Sequence, residues 1–153
     1  MSALIGSFDK IGNPIVTISV CGVFTGGKKE FEAVIDTGFT GFLQMPLFEA
    51  FPLGLVLAGT TSVTLADGSA SPRLMAFGRV AIGTTEETAL ILLDVGSDAI
   101  LIGMSLLRKF KKKLVVSSTD VLLEDEPPPT ALQQVAAQPV ADIPAAPEPP
   151  QAN

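Results

Sequence analysis

Apolar and β-branched residues dominate Pro14 to Phe24 (PIVTISVCGVF), break at Thr25-Gly26-Gly27-Lys28-Lys29, and resume from Phe31 to Ile35. This pattern predicts two strands joined as a β-hairpin. The second strand runs straight into Asp36-Thr37-Gly38, where a glycine and two side chains able to bond their own backbone favour a sharp turn. Another apolar stretch begins at Phe39. Pro46 can open a short helical turn through Glu49, which Pro52 and Gly54 must stop. Ser62 to Leu65 and Leu74 to Ile82 predict a second hairpin around Ala66-Asp67-Gly68-Ser69, because Asp-Gly is a favoured two-residue turn. Thr88 to Asp94 is continuously apolar in its middle, as a strand covered on both faces would be, and Asp94-Val95-Gly96-Ser97 breaks it. Ala99 to Ile102 then leads into Gly103.

From Met104 to Lys112 the period changes. Leu106, Leu107 and Phe110 recur at helical spacing, and Arg108, Lys109, Lys111, Lys112 and Lys113 gather where the helix macrodipole favours cations. This basic cluster reads as a solvated helix end rather than a binding patch. Leu114 to Val116 and Val121 to Leu123, around Ser117-Ser118-Thr119-Asp120, predict a closing hairpin. The sum is about seven short strands and one helix, a mostly β domain over residues 1–123. Residues 124–153 hold 8 of the 12 prolines, no glycine, no aromatic and 5 acidic residues without a base. That Pro/Ala-rich acidic tail cannot bury enough apolar surface to offset its ordering entropy, and disorder is expected there.

Composition then narrows the chemistry. The chain has 153 residues, 47% of them apolar, with 10 Lys+Arg against 16 Asp+Glu, enough for one catalytic core. Removing the tail leaves 123 residues with 11 acids and 10 bases, which offers no basic surface, so no nucleic-acid partner is expected. No apolar run spans a bilayer and the first residues lack a basic n-region; no membrane association and a cytoplasmic location are the expectation. There is no histidine, which excludes His-based triads and His-ligated metals, and a lone Cys21 builds neither a disulfide nor a thiolate zinc site. Cys21 lies in an alternating stretch and reads as a half-buried strand residue rather than a nucleophile. Gly54 and Gly59 have phosphate-loop spacing, but Thr60-Thr61 follows where Lys and Ser/Thr are needed. No metal and no cofactor are expected, and carboxylates are the strongest candidates for chemistry.

One constellation stands out. An apolar strand, Ala33-Val34-Ile35, delivers Asp36 onto a turn in Asp36-Thr37-Gly38-Phe39-Thr40-Gly41-Phe42. Leu101-Ile102-Gly103-Met104-Ser105-Leu106-Leu107 brings its glycine 67 residues later (103 minus 36), and the glycine-tipped hairpin lies between. Apolar strand into Asp-Thr-Gly, flap-like hairpin, then apolar-apolar-Gly into a short helix resembles the retropepsin-like aspartic proteases, especially small bacterial members. The resemblance spans about Pro14 to Glu124 and implies a single-lobed closed β-barrel of the acid-protease type with one short helix.

Peptide hydrolysis without a metal or covalent intermediate needs a base to activate water and an acid to protonate the amide, which two carboxylates sharing one proton supply. This chain offers one suitable carboxylate. Asp94 also follows an apolar strand, but it precedes Val95-Gly96 and is expected to lack the hydroxyl and the turn that fix Asp36. A twofold homodimer would supply the second Asp36. The resemblance implies that Asp36 activates water, Thr37 bonds across the dimer and Gly38 admits the substrate backbone. It implies that Gly103 passes close behind the catalytic loop, with Leu101 and Ile102 packed beneath. Ala66, Asp67, Gly68 and Ser69 would form the tip of a flap closing over an extended peptide or protein substrate. Phe39, Phe42, Leu65 and Ile102 would make the pockets apolar.

The chain departs from the family pattern at several places. Phe39 replaces the usual Ala or Ser, Thr40 and Met104 replace an Asp–Arg ion pair of retroviral enzymes, and the flap lacks their several glycines. Two readings from other classes compete with an endopeptidase. One is a non-catalytic peptide-binding or adaptor dimer with the same fold; the other is a structural module whose role lies in the Pro-rich tail.

Overall fold

The computed structural model describes residues 3–24, 27–64 and 67–127. Ten strands form one sheet: β1 (Leu4–Phe8), β2 (Pro14–Gly22), β3 (Lys29–Ile35), β4 (Leu43–Pro46), β5 (Val56–Thr64), β6 (Ala70–Ile82), β7 (Thr85–Asp94), β8 (Leu101–Ile102), β9 (Lys112–Val116) and β10 (Val121–Asp125). Their order is β5-β6-β7-β4-β8-β3-β2-β1-β10-β9, and β6 also pairs with β2. That extra pairing, Ser19↔Ala81 through Gly22↔Gly78, closes a six-stranded barrel of β6, β7, β4, β8, β3 and β2. Closure removes the sheet edges along those six strands.

The barrel interior follows from alternation. Val16, Ile18 and Val20 of β2 meet Phe31, Ala33 and Ile35 of β3, and Val80, Ile91, Leu43, Met45 and Ile102 fill the remainder, all buried. Leu106 and Leu107 of the helix α2 (Met104–Lys109), with Phe110 just past its end, pack into the same core. The other helix, α1 (Leu47–Ala50), follows Pro46 and passes into a 3₁₀ turn at Phe51–Leu53; Gly54 ends it with φ 67°. Pro and Gly act there as expected.

Several sequence expectations shift. There are ten strands rather than seven; the helical turn expected after Pro46 is α1, and the one expected helix is α2. β1 was not anticipated. Its residues point alternately to the two faces, but Gly6 and Ser7 keep it from reading as an apolar strand. β5 begins at Val56 instead of Ser62, and its early residues are exposed, so they carry no burial pattern. The helix stops at Lys109 rather than Lys112, since Lys111 adopts φ 50° and Lys112 opens β9. β10 runs to Asp125, two residues past the expected end of the folded body at 123. The rest of the acidic tail, from residue 128, lies outside the described residues. Among the described residues no helix is long and apolar enough to cross a membrane.

Candidate active site

β3 and β8 pair in parallel, Val34↔Leu101 and Ile35↔Ile102, while β4 pairs antiparallel to β8 through Leu43↔Ile102. β8 is thus inserted between two strands that are consecutive in the chain, and the segment 36–42 must cross over its end. Backbone bonds fix that crossing: the Asp36 amide donates to the Ile102 carbonyl (2.9 Å), Gly103 to Phe42 (2.9 Å), Met104 to Phe39 (2.8 Å) and Ser105 to Gly41 (3.1 Å). The Ser105 hydroxyl adds a bond to the Thr40 carbonyl at 2.6 Å.

Gly103 makes the crossing possible. A Cβ there would lie 2.1 Å from the Gly41 carbonyl oxygen and 2.7 Å from that of Phe39, so any side chain would push the loop away. The loop in turn presents Asp36. Its Oδ1 accepts the Gly38 amide at 2.9 Å, which sets the carboxylate's direction. Asp36 is half-buried, and Thr37 and Gly38 are exposed. Among the described residues nothing in the chain bonds the Thr37 hydroxyl.

Asp36 and Thr37 open onto a cleft of about 520 Å³ lined also by Asn13, Pro14, Leu101, Leu114 and Val116. Asp36 is the one acid in that lining. Asp94, by contrast, sits beside Pro46 at the far end of β4. Contrary to expectation it does have the same turn, its Oδ1 accepting the Gly96 amide at 2.9 Å. Its carboxylate is committed elsewhere: it is 7% exposed, and Oδ2 lies 3.3 Å from Gln44 Nε2 and 3.6 Å from an Arg73 guanidinium nitrogen.

A half-exposed carboxylate on a turn locked behind by a glycine, in a closed single-lobed barrel, invites comparison with solved proteins. One that matches is the crystal structure of a retropepsin-like aspartic protease from Rickettsia conorii, with a TM-score of 0.58 and 19% identity over 80% of this chain and 90% of that one. The fold is retropepsin-like. No protein-family model matches the chain. No curated protein matches it either.

Within this retropepsin-like frame the remaining candidate residues fall into three groups. Leu101 lines the cleft with Asp36, whereas Ile102 is fully buried in the core and supports the loop from beneath without touching the cleft. Phe39 folds its ring onto Gly41, where a Cβ would meet ring carbons at 2.4 Å; its bulk is accommodated by a glycine two residues on. The β5–β6 hairpin pairs from Val56↔Phe77 to Thr64↔Ala70, and beyond Leu74 it leaves β7 and projects from the barrel. At its tip Gly68 has φ 81°, and Asp67 Oδ1 accepts both the amide (2.9 Å) and the hydroxyl (2.6 Å) of Ser69. Those bonds hold the Asp67 carboxyl below the ordinary carboxylate range, the Ser69 hydroxyl being the larger cause. Ala66 and Leu65 lie outside the described residues.

Sequence reasoning missed Ser105, Asn13, Leu114 and Val116. Ser105 could have been found, since a serine just inside a helix start often bonds a neighbouring backbone. The other three come from distant segments, and only the tertiary fold brings them to Asp36. The basic cluster divides: Arg108 and Lys109 are exposed, but only 5% of the Lys112 side chain is exposed and it pairs with Asp125, and Lys113 stands 3.8 Å from Glu124.

Proposed function

We propose that the chain is an aspartic endopeptidase that works as a twofold homodimer, with Asp36 of each copy forming one catalytic pair. The observation that carries this reading is the half-site itself: a carboxylate oriented by Gly38, carried on a rigid crossing loop, opening onto a cleft with no second acid. A single carboxylate can act as base or as acid, but not as both in one step.

In the dimer the two Asp36 carboxyls share one proton, because like charges held close cannot both ionise. The ionised one takes a proton from a bound water, whose oxygen attacks the scissile carbonyl carbon. The protonated one stabilises the new oxyanion and, as the carbon–nitrogen bond breaks, a proton passes to the departing amine. The Thr37 hydroxyl, unpaired within its own chain among the described residues, bonds across the axis and keeps the loops in register. The projecting β5–β6 hairpin closes over the peptide and adds backbone hydrogen bonds in the manner of strand addition.

The deciding experiment is cleavage of a diverse peptide library by the wild type and Asp36→Ala over a range of protein concentrations. Cleavage that disappears in the variant and rises faster than linearly with protein is expected. A folded, dimeric wild type that cleaves nothing, and binds peptides equally well after Asp36→Asn, would instead be the adaptor.

A further inference from the structure

Another cavity, of about 410 Å³, lies where the chain leaves β10, and Thr37, Met104, Leu107, Arg108, Leu114 and Glu126 are among its lining residues. Thr37 and Leu114 also line the cleft that holds Asp36, so the two cavities adjoin. Met104, Leu107 and Leu114 make this second cavity largely apolar inside, a surface that water covers at a cost. Glu126 donates its amide to the Lys111 carbonyl (2.8 Å), which fixes the point of departure. The chain therefore runs on from the cavity's own wall through Pro127, and 26 residues follow (153 minus 127).

The charges around the cavity are half matched. Lys112 pairs with Asp125 and Lys113 stands 3.8 Å from Glu124, so the first two acids of the acidic run already lie on basic residues. Arg108 and Lys109 are exposed, and among the described residues no acid pairs with either. Residues 128–153 hold two acids, Asp142 and Glu148, and no base. They also hold Leu132, Val135, Val140 and Ile143, apolar side chains in two pairs three residues apart. The same short segment thus offers both the charge and the apolar groups that the cavity and its rim lack.

We propose that residues 130–135 of the chain's own tail (TALQQV) dock in this cavity, with Leu132 against Met104, Leu107 and Leu114 and the acids beyond drawn to Arg108 and Lys109. Reach allows it. Pro127, Pro128 and Pro129 favour the extended polyproline conformation at about 3.1 Å per residue, so together they carry the chain about 9 Å from Glu126. They also lack the N–H that further pairing along β10 would need. A second copy of the chain could cover the same cavity only by diffusing to it. The tail is tethered at the cavity wall, which gives it an effective concentration on the order of millimolar. Once docked, the segment covers Thr37, the residue that bonds across the axis in the dimeric endopeptidase reading. The tail thereby holds the chain monomeric and inactive until it is displaced; this regulatory role rests on that reading, and the docking itself does not.

The test uses the full chain and places its main changes in the tail, away from the core: Leu132→Asp together with Val135→Asp. Methyl NMR then follows the methionines. Met104 lines the cavity and Met45 is buried in the barrel, so the Met104 methyl resonance should shift in the variant while that of Met45 stays. Arg108→Glu, a change at an exposed position, should move the Met104 methyl in the same direction. Both variants should sediment with more dimer than the wild type at equal protein concentration. Peptide cleavage at low protein should rise about tenfold or more, the equilibrium weight of burying one leucine side chain. A peptide of residues 127–143 added to the tail variant should reverse that gain. A Met104 methyl that the tail changes leave unmoved overturns the docking. So does a shift that appears only as the wild type is concentrated, which assigns the cavity to a second copy. A shifted methyl with unchanged sedimentation and cleavage supports the docking and overturns the regulation. A shifted methyl with no cleavage by any variant supports the docking and sinks only the endopeptidase reading.

Discussion

Gly103 passes so close behind Gly41 that the carbonyl oxygen of one lies 2.1 Å from where a Cβ on the other would be. The neighbour is backbone, which cannot rotate away. Gly103→Ala should therefore displace the Asp36 loop, at a cost of about 1–3 kcal/mol or more for overpacking. Urea unfolding measures the loss, and peptide cleavage should fall with it. Unchanged stability would mean that the loop yields freely.

Asp36→Asn keeps an oxygen able to accept the Gly38 amide, so the turn has no reason to open. The expected outcome is a midpoint of thermal unfolding close to wild type, with cleavage reduced by at least about 10²–10⁴-fold through loss of acid–base chemistry. Thermal unfolding alongside cleavage assays separates the two effects.

Ser105 ties the helix start to the Thr40 carbonyl through a 2.6 Å hydroxyl bond. Ser105→Ala should lower stability by about 1 kcal/mol, the net worth of one such bond. Faster hydrogen exchange at the loop amides would show that the loss is local to the crossing.

Arg73, on the projecting part of β6, is the cation nearest the buried Asp94, at 3.6 Å. Arg73→Met leaves that carboxylate with the Gln44 amide and the Gly96 N–H alone. A loss of about 1–3 kcal/mol is expected when a buried charged group forfeits a partner, and Arg73→Met,Asp94→Asn together should recover part of it in a double-mutant cycle.

Asp67 at the tip of the β5–β6 hairpin accepts two bonds from Ser69 in its charged form, which lowers its pKa from the ordinary 3.8. The native value being depressed, the contribution of these bonds is complete above the ordinary value and is lost only as pH falls through the lowered one. The Ser69 amide resonance should titrate with a midpoint below 3.8, and Ser69→Ala should bring the Asp67 midpoint back toward it. A midpoint at or above 3.8 in the wild type would contradict the tip geometry.

Much of this arrangement was legible in the residues. The β2–β3 hairpin declared itself through β-branched alternation, α1 through its flanking proline and glycine, and the loop through an apolar strand ending on Asp36-Thr37-Gly38. What escaped depended on distant partners. β1 reads weakly because Gly6 and Ser7 interrupt it, yet it is held by β2 on one side and β10 on the other. At Asp94 the following Val95 has no hydroxyl and so hides the turn, which needs only the Gly96 amide. What distinguishes it from Asp36 is the pairing with Arg73 and Gln44, residues 21 and 50 positions away (94 minus 73 and 94 minus 44), which no local pattern reveals.

The pairing Leu4↔Leu123 joins the first strand of the body to its last, 119 residues apart (123 minus 4). During synthesis β1 emerges early and can gain β2 at once, but its other edge stays open until β10 has been made. Contacts of such sequence separation form late and slow folding. A nascent chain therefore carries an unprotected strand edge for most of its synthesis, the kind of surface on which incomplete chains aggregate. Loss of β10 from a truncated product would leave that edge open permanently.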